Sequence, residues 1–158
     1  MNLKVSLVTV FLSASIFAFS QTGPGGVGSN DGGSTLELWL KSDSLLQSPG
    51  GSPASADDQV GEWIDQSGND NDFIQPGANR PFFRNSGING FPAIEFIGDG
   101  DFLEDSDGES YLNGLGEITV FFIVQSDATG SDRGFFDSRQ PDGGDNSFAI
   151  RYDADGAS

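Results

Sequence analysis

Six carboxylates lie within eleven residues near the middle of the chain, and this cluster is the first candidate for chemistry. Its members are Asp99, Asp101, Glu104, Asp105, Asp107 and Glu109. Like charges this close together repel one another unless solvent or a cation separates them, and Ca²⁺ is the cation that takes about six to eight oxygen ligands. The cluster therefore predicts either a solvated acidic loop or a calcium site.

A second polar stretch, residues 65–72 with the sequence DQSGNDND, has the composition of a calcium-binding loop but not its spacing. The helix–loop–helix calcium motif needs glycine at its sixth position and glutamate at its twelfth. Counted from Asp65, those positions hold Asp70 and Pro76. Ser-Gly-Asn and Asp-Asn are turn formers whose side chains bond to their own backbone. We therefore predict a tight turn here, with metal binding and direct ligand contact as the alternatives.

The composition of the chain excludes several kinds of catalysis. The sequence has no histidine and no cysteine, which excludes Ser-His-Asp and Cys-His nucleophiles, thiolate zinc sites and disulfides. Asp105, Asp107 and Glu109 have the alternate spacing with which some glycosidases place carboxylates along one strand. Ser106 and Gly108 between them favour a loop instead, so we assign no catalytic residue.

Aromatic side chains are the remaining candidates for ligand contact, because exposed rings can stack on the faces of sugars. In the segment Leu36–Leu40 the leucines alternate, so Trp39 projects from the opposite face. Trp63 lies in an apolar segment and is predicted to fill the core. We expect Trp39 and Tyr111 to contact a ligand, with burial in the core as the alternative for each.

The first twenty residues have the order of a secretory signal peptide. Lys4 supplies the charged start, Val5–Phe19 is apolar or small, and Ala18-Phe19-Ser20 fits a cleavage site. The apolar run is shorter than the about 20 residues that span a bilayer. We therefore predict a signal peptide at residues 1–20, export, and an extracellular or cell-surface location without membrane insertion.

The net charge of −17 disfavours binding partners that are themselves negatively charged. An acidic surface repels phosphate backbones and anionic lipids, so neither nucleic acid nor a membrane surface is an expected partner. Eleven of the fourteen phenylalanines follow residue 20 and are interleaved with the acidic residues, which favours a folded domain over a disordered chain. The charge is compatible with a soluble extracellular protein and with cation binding.

Short apolar runs separated by Gly, Asp and Asn dominate the chain after a glycine-rich leader at residues 21–35. No window longer than ten residues has helical periodicity, so the pattern predicts an all-β sandwich. Ser86–Gly90 is typical of a hairpin turn, and Ile118–Val124 of a central strand covered on both faces. Residues 153–156 are typical of a further hairpin turn, so we expect the sandwich to be incomplete at its C-terminus. The predicted strands are 36–40, 81–85, 91–97, 118–124, 134–137 and 147–152, and residues 60–64 are a short apolar segment.

Several motifs occur in an order that resembles one family: LWLKSDS (38–44), WIDQSGNDNDF (63–73), RPFFRNSGINGFPAIEFIGDGDFL (80–103), ITVFFIVQS (118–126), GFFDSR (134–139) and SFAIRYDADG (147–156). The set resembles the laminin-G-like, concanavalin-A-like lectin/glucanase superfamily, in the version found in exported bacterial surface proteins. The resemblance covers residues 36–158. It implies an antiparallel jelly-roll β-sandwich, of which this chain would hold the N-terminal part.

The resemblance also implies a function. Members of the family mostly bind carbohydrate or protein ligands at the cell surface, and many use calcium in a loop near the concave face. In calcium-binding relatives an Asp-Asp or Asp-Asn pair precedes the aromatic residue of the third motif. Here Asp101 matches the second member of that pair, Gly100 stands at the first, and Asp99 is the nearest substitute.

We therefore expect a non-catalytic carbohydrate-binding module that is assisted by calcium at Asp99 and Asp101. A surface protein is the other ligand class that the resemblance implies. One alternative is an ancillary or catalytic domain of a polysaccharide-degrading glycoside hydrolase. The other is a structural or adhesion domain of a larger surface protein.

Overall fold

Short antiparallel β-strands account for nearly all the regular structure in the part of the chain that the structure describes. The computed structural model describes residues 22–33, 35–98, 100–105, 112, 115–126, 133–138 and 148–152. They include a 3₁₀ turn at Pro24–Gly26 and no α-helix. The predicted all-β class is therefore confirmed. The described sheets are small and do not close around one another.

Eight strands lie in the described residues and form three antiparallel groups. A four-stranded sheet has the order β1-β2-β3-β6, the strands β4 and β5 form a hairpin, and β7 pairs with β8. The strands are β1 (Leu46–Gln47), β2 (Glu62–Trp63), β3 (Phe73–Ile74), β4 (Phe82–Ile88), β5 (Phe91–Glu95), β6 (Glu104–Asp105), β7 (Arg133–Asp137) and β8 (Ala149–Tyr152).

The β4–β5 hairpin confirms the turn predicted from the sequence. Asn89 and Gly90 connect the strands and both have positive φ, 52° and 84°. Two left-handed residues in succession give the backbone twist that matches two paired strands, and Asn-Gly is the pair that adopts it most readily. Ile88 therefore pairs with Phe91 across the turn, and the register shifts once between Arg84 and Ile88.

The hairpin is joined to the preceding loop by backbone hydrogen bonds and by one arginine. The Val60 N–H donates to the Pro81 carbonyl at 2.8 Å, and Gln59 forms a bridge with Phe82. Arg84 donates to Glu95 through Nε at 2.5 Å and to Asp57 through Nη1. The hydrogen bonds to Glu95 and Asp57 raise the pKa of Arg84 above its usual value.

Two small apolar regions hold these groups together. In the part of the chain that the structure describes, the buried apolar side chains are Leu46, Val60 and Pro81. The second region is a cluster of rings centred on Phe136 of β7, whose ring centroid lies 6.0–6.3 Å from those of Phe73, Phe122 and Phe148. Such separations are typical of stabilising aromatic contacts. Phe136 thus links β3 with the β7–β8 pair.

Two predicted strands are wrong. Residues 36–40 and 118–124 are not paired as strands, and the second segment is exposed instead of covered on both faces. The strand predicted at 91–97 ends at Glu95, because the N–H groups of Ile97 and Gly98 turn toward the Asp101 carboxylate.

The other predicted strands lie close to observed ones. β4, β7 and β8 fall at the predicted strands 81–85, 134–137 and 147–152, and β2 lies within the apolar segment 60–64. Residues 1–20 and 153–158 lie outside the described residues. Nowhere in the described part of the chain is there a helix with the length and apolarity that a membrane span requires.

The positive φ of Gly90 can be tested by substitution. A Cβ at this position would meet nothing within 4 Å, so the cost of Gly90→Ala is conformational alone. We expect a loss of about 1–2 kcal/mol of unfolding free energy, measured by urea titration. Gly50→Ala is the matched control, because Gly50 also faces open space but lies outside the positive-φ region. It should change stability by less than about 0.5 kcal/mol. Equal effects of the two substitutions would contradict the assignment of the turn.

Candidate ligand-binding site

The loop at residues 65–72, here called the SGN loop, is organised around the buried carboxylate of Asp65. The Asp65 side chain accepts hydrogen bonds from the N–H groups of Trp39, Ser67 and Asn71 and from the Ser67 hydroxyl. The two shortest backbone bonds are 2.8 Å to Trp39 and 2.9 Å to Ser67. Asp65 is 6% exposed, so these donors replace the water that a carboxylate needs. The predicted turn is confirmed, and its first aspartate is also its anchor.

The other polar side chains of the SGN loop hold the segment 36–39 in place. Asn71 Nδ2 donates to the Glu37 carbonyl at 2.7 Å, and Asn69 Nδ2 donates to the Leu36 carbonyl at 2.9 Å. The Gln66 N–H donates to the Trp39 carbonyl at 2.9 Å. Side chains thus satisfy backbone groups that the predicted strand would have given to a sheet neighbour.

The glycine-rich leader packs against the same loop at Gly68. The Gly32 N–H donates to the Ser67 carbonyl at 3.2 Å. Gly68 has a φ of 91°, and a Cβ there would lie 2.7 Å from the Gly32 nitrogen and 3.0 Å from the Asn30 carbonyl oxygen. The position therefore requires glycine both for its conformation and for the close approach of the leader.

The SGN loop positions Trp39, the first predicted ligand contact. Asp65 binds the Trp39 N–H and Gln66 binds its carbonyl, so both backbone polar groups of the residue are fixed. The Trp39 side chain is half-buried rather than enclosed in the core. Lys41 Nζ lies 5.5 Å from the ring centroid, near the outer limit of about 6 Å for a cation–π contact.

Lys41 is in turn held by contacts at both of its ends. Its Nζ lies 3.2 Å from the Asp43 carboxylate, and its carbonyl accepts a 2.8 Å hydrogen bond from Trp63 Nε1. Trp63 is half-buried in β2, so its predicted place in the core is only partly realised. Ser42 Oγ donates to the Pro92 carbonyl at 2.7 Å, which ties this stretch to the hairpin.

Asp101, the described member of the predicted metal pair, closes a turn. One of its oxygens, Oδ2, accepts from the N–H groups of Ile97 and Gly98 at 3.0 and 2.9 Å. The Asp101 N–H returns a 3.2 Å bond to the Gly98 carbonyl. This oxygen is thus already occupied by backbone donors, and the arrangement is that of an aspartate capping its own loop.

Asp101 is the one residue of the predicted metal pair that lies among the described residues. Asp99 and Tyr111 lie outside the described residues, as do residues 106–110 of the acidic cluster. Among the residues that the structure does describe, no three acidic side chains are grouped so that they could hold a metal ion. The described residues near Asp101 therefore do not form a calcium cage by themselves.

Sequence reasoning missed two residues of this site, Lys41 and Asp65 in its anchoring role. Trp39 and Lys41 are two positions apart, a spacing that puts both side chains on one face of an extended segment, so Lys41 could have been found. The burial of Asp65 could not be found from the sequence, because Asp70 and Asp72 nearby have the same side chain. The three aspartates differ only in the environment that the fold gives each of them.

Comparison with known proteins found no relatives. A scan against models of protein families, a search of curated proteins and a search of solved structures each gave no match to this chain.

The role of the Asp65 carboxylate can be tested with Asp65→Asn. The amide keeps the shape but presents N–H₂ to donors that the carboxylate accepted, which leaves buried groups unpaired. We expect unfolding free energy to fall by about 2–3 kcal/mol in urea titration. Asp70→Asn is the matched control, since Asp70 is exposed and its φ of 60° suits asparagine. It should change stability by less than about 0.5 kcal/mol. Similar losses in the two variants would show that charge, not Asp65 itself, matters.

Proposed function

We propose that this chain is a secreted or cell-surface module that binds carbohydrate without catalysis, with the Trp39 ring as the stacking surface. The observation that carries the proposal is the double clamp on the Trp39 backbone by Asp65 and Gln66. A ring on a clamped backbone loses little conformational entropy when a ligand stacks on it. Ligand sites gain affinity from such preorganisation.

The surroundings of Trp39 favour a neutral sugar over a charged one. The ring offers an apolar face, and the Lys41–Asp43 pair beside it offers hydrogen-bond donors and acceptors for hydroxyl groups. Because these two side chains neutralise each other locally, they do not select a charged ligand. The net charge of −17 acts against anionic polysaccharides by long-range repulsion. Neutral glycans are therefore the proposed ligand class.

The motifs that resemble the laminin-G-like superfamily support the same function, as do the residues that resemble an export signal. In that interpretation the described sheets are parts of a jelly-roll sandwich, and the module acts outside the cell. Calcium assistance through Asp99 and Asp101 is a separate part of the proposal. It requires further ligands from outside the described residues, because no three acidic side chains are grouped among the residues that the structure describes.

The proposal is tested by screening the chain on an array of neutral and anionic glycans, followed by titration calorimetry with a neutral oligosaccharide that binds. Trp39→Ala should weaken that binding by about tenfold or more, because it removes the stacking surface. Phe91→Ala is the control, since Phe91 is an aromatic residue 72% exposed on the hairpin and should not affect affinity. Circular dichroism of both variants checks that each keeps its fold.

Three outcomes would contradict parts of this proposal. Failure to bind any neutral glycan would overturn the ligand class, and equal affinity of Trp39→Ala and the unmodified chain would overturn the site. Release of reducing sugar from a bound polysaccharide would overturn the non-catalytic assignment. Repeating the titration with a chelator and with millimolar calcium tests the metal independently: unchanged affinity and unchanged melting temperature would remove calcium from the proposal.

A further inference from the structure

The segment 118–124, with the sequence ITVFFIV, combines strand composition with unusual exposure. Exposure alternates along it. Ile118, Val120, Phe122 and Val124 are 39–49% exposed, whereas Phe121 and Ile123 are 81% and 88% exposed. Period-two alternation is the pattern of an extended chain with one face packed and the other open. Phe122 belongs to the packed face, since its ring centroid lies 6.1 Å from that of Phe136.

The backbone of this segment is available for pairing. Within the described part of the chain, residues 118–125 make no backbone hydrogen bond. Seven β-branched and aromatic residues without Gly or Pro, and with an unpaired backbone, have the properties of an edge strand that receives another strand. No charged side chain within the segment opposes this.

We propose that residues 118–124 pair with the same residues of a second copy of this chain, antiparallel and centred on Phe121. This register places Phe121 opposite the partner's Phe121 and Ile118 opposite the partner's Val124. Thr119 then faces the partner's Ile123, and Val120 faces the partner's Phe122. Every pair combines aromatic or β-branched side chains, which are the cross-strand pairs that stabilise antiparallel sheets.

Charge favours this register over a parallel one. In the antiparallel arrangement Glu117 lies opposite the partner's Gln125, so a carboxylate meets an amide that can donate to it. In a parallel, in-register pair the two Glu117 carboxylates would be neighbours and would repel each other. The segment is thus complementary to itself in one orientation. On the open face, the Phe121 and Ile123 side chains of both copies come together.

The net charge of −17 on each copy opposes association at low ionic strength. Salt screens this repulsion, while the apolar contacts of the strand pair do not depend on it. The dimer should therefore become more stable as sodium chloride rises from about 10 mM to about 500 mM, the reverse of the behaviour of a dimer held by ion pairs.

Sedimentation velocity of the full chain over a concentration series tests the association. The unmodified chain should form a dimer, and Phe121→Lys should raise its dissociation constant by about tenfold or more, because the register places two lysines opposite each other. Phe91→Lys is the control, since Phe91 is also highly exposed, at 72%, but lies in the hairpin. A monomer at all concentrations and salts, or equal weakening by both substitutions, would overturn the proposal.

The register is tested by single-cysteine variants, which are unambiguous because the chain has no native cysteine. Residues directly opposite in an antiparallel pair have Cα atoms about 4.5–5.5 Å apart, within reach of a disulfide. Phe121→Cys should therefore cross-link to itself on oxidation. Glu117→Cys should not, because the antiparallel register separates the two copies of position 117 by about 27 Å. Cross-linking at 117 but not at 121 would overturn the antiparallel register.

Discussion

The buried carboxylate of Asp65 is the constraint on which the arrangement of the N-terminal half depends. A charged group out of contact with water is strongly destabilising unless donors surround it, and here three backbone N–H groups and one hydroxyl do so. One of these donors, Trp39, lies 26 residues away in the chain. The hydrogen bonds to the Asp65 carboxylate therefore close the SGN loop. The same bonds fix the segment that carries Trp39, the candidate binding surface.

Polar interactions are important for the stability of this fold because few apolar side chains are buried. In the described residues the buried apolar side chains are Leu46, Val60 and Pro81, whereas the buried polar ones are Asp65, Ser67, Asn71, Gln75 and Ser138. The rings around Phe136 add a second region of contact, and it lies on other strands. The fold is thus held by hydrogen-bonded loops at one place and by aromatic contacts at another. Such polar networks specify one arrangement strongly when every member is satisfied.

Turns were predicted correctly because they depend on local residues alone. Strands were predicted less well, because a strand also needs a neighbouring strand to pair with. The Asn89-Gly90 turn follows from backbone sterics alone, and the turn in the SGN loop follows from residues that bond to their own backbone. An apolar alternating run, by contrast, indicates that a segment favours extension but not that a neighbouring strand exists. Residues 36–40 bond to loop side chains, and residues 118–124 have no backbone partner among the described residues. Both predictions of strands failed for this reason.

The contacts of Lys41 have an optical consequence. The chain contains two tryptophans, and both meet this one residue: Trp63 donates its indole N–H to the Lys41 carbonyl, and Trp39 lies beside the Lys41 ammonium. Indole emission is sensitive to such neighbours, so the intrinsic fluorescence of the protein monitors the SGN loop and the segment it clamps. The rings around Phe136 contribute almost nothing to that emission. Fluorescence therefore follows the SGN region, whereas circular dichroism follows the backbone as a whole, and a difference between their unfolding curves would reveal that the two regions unfold separately.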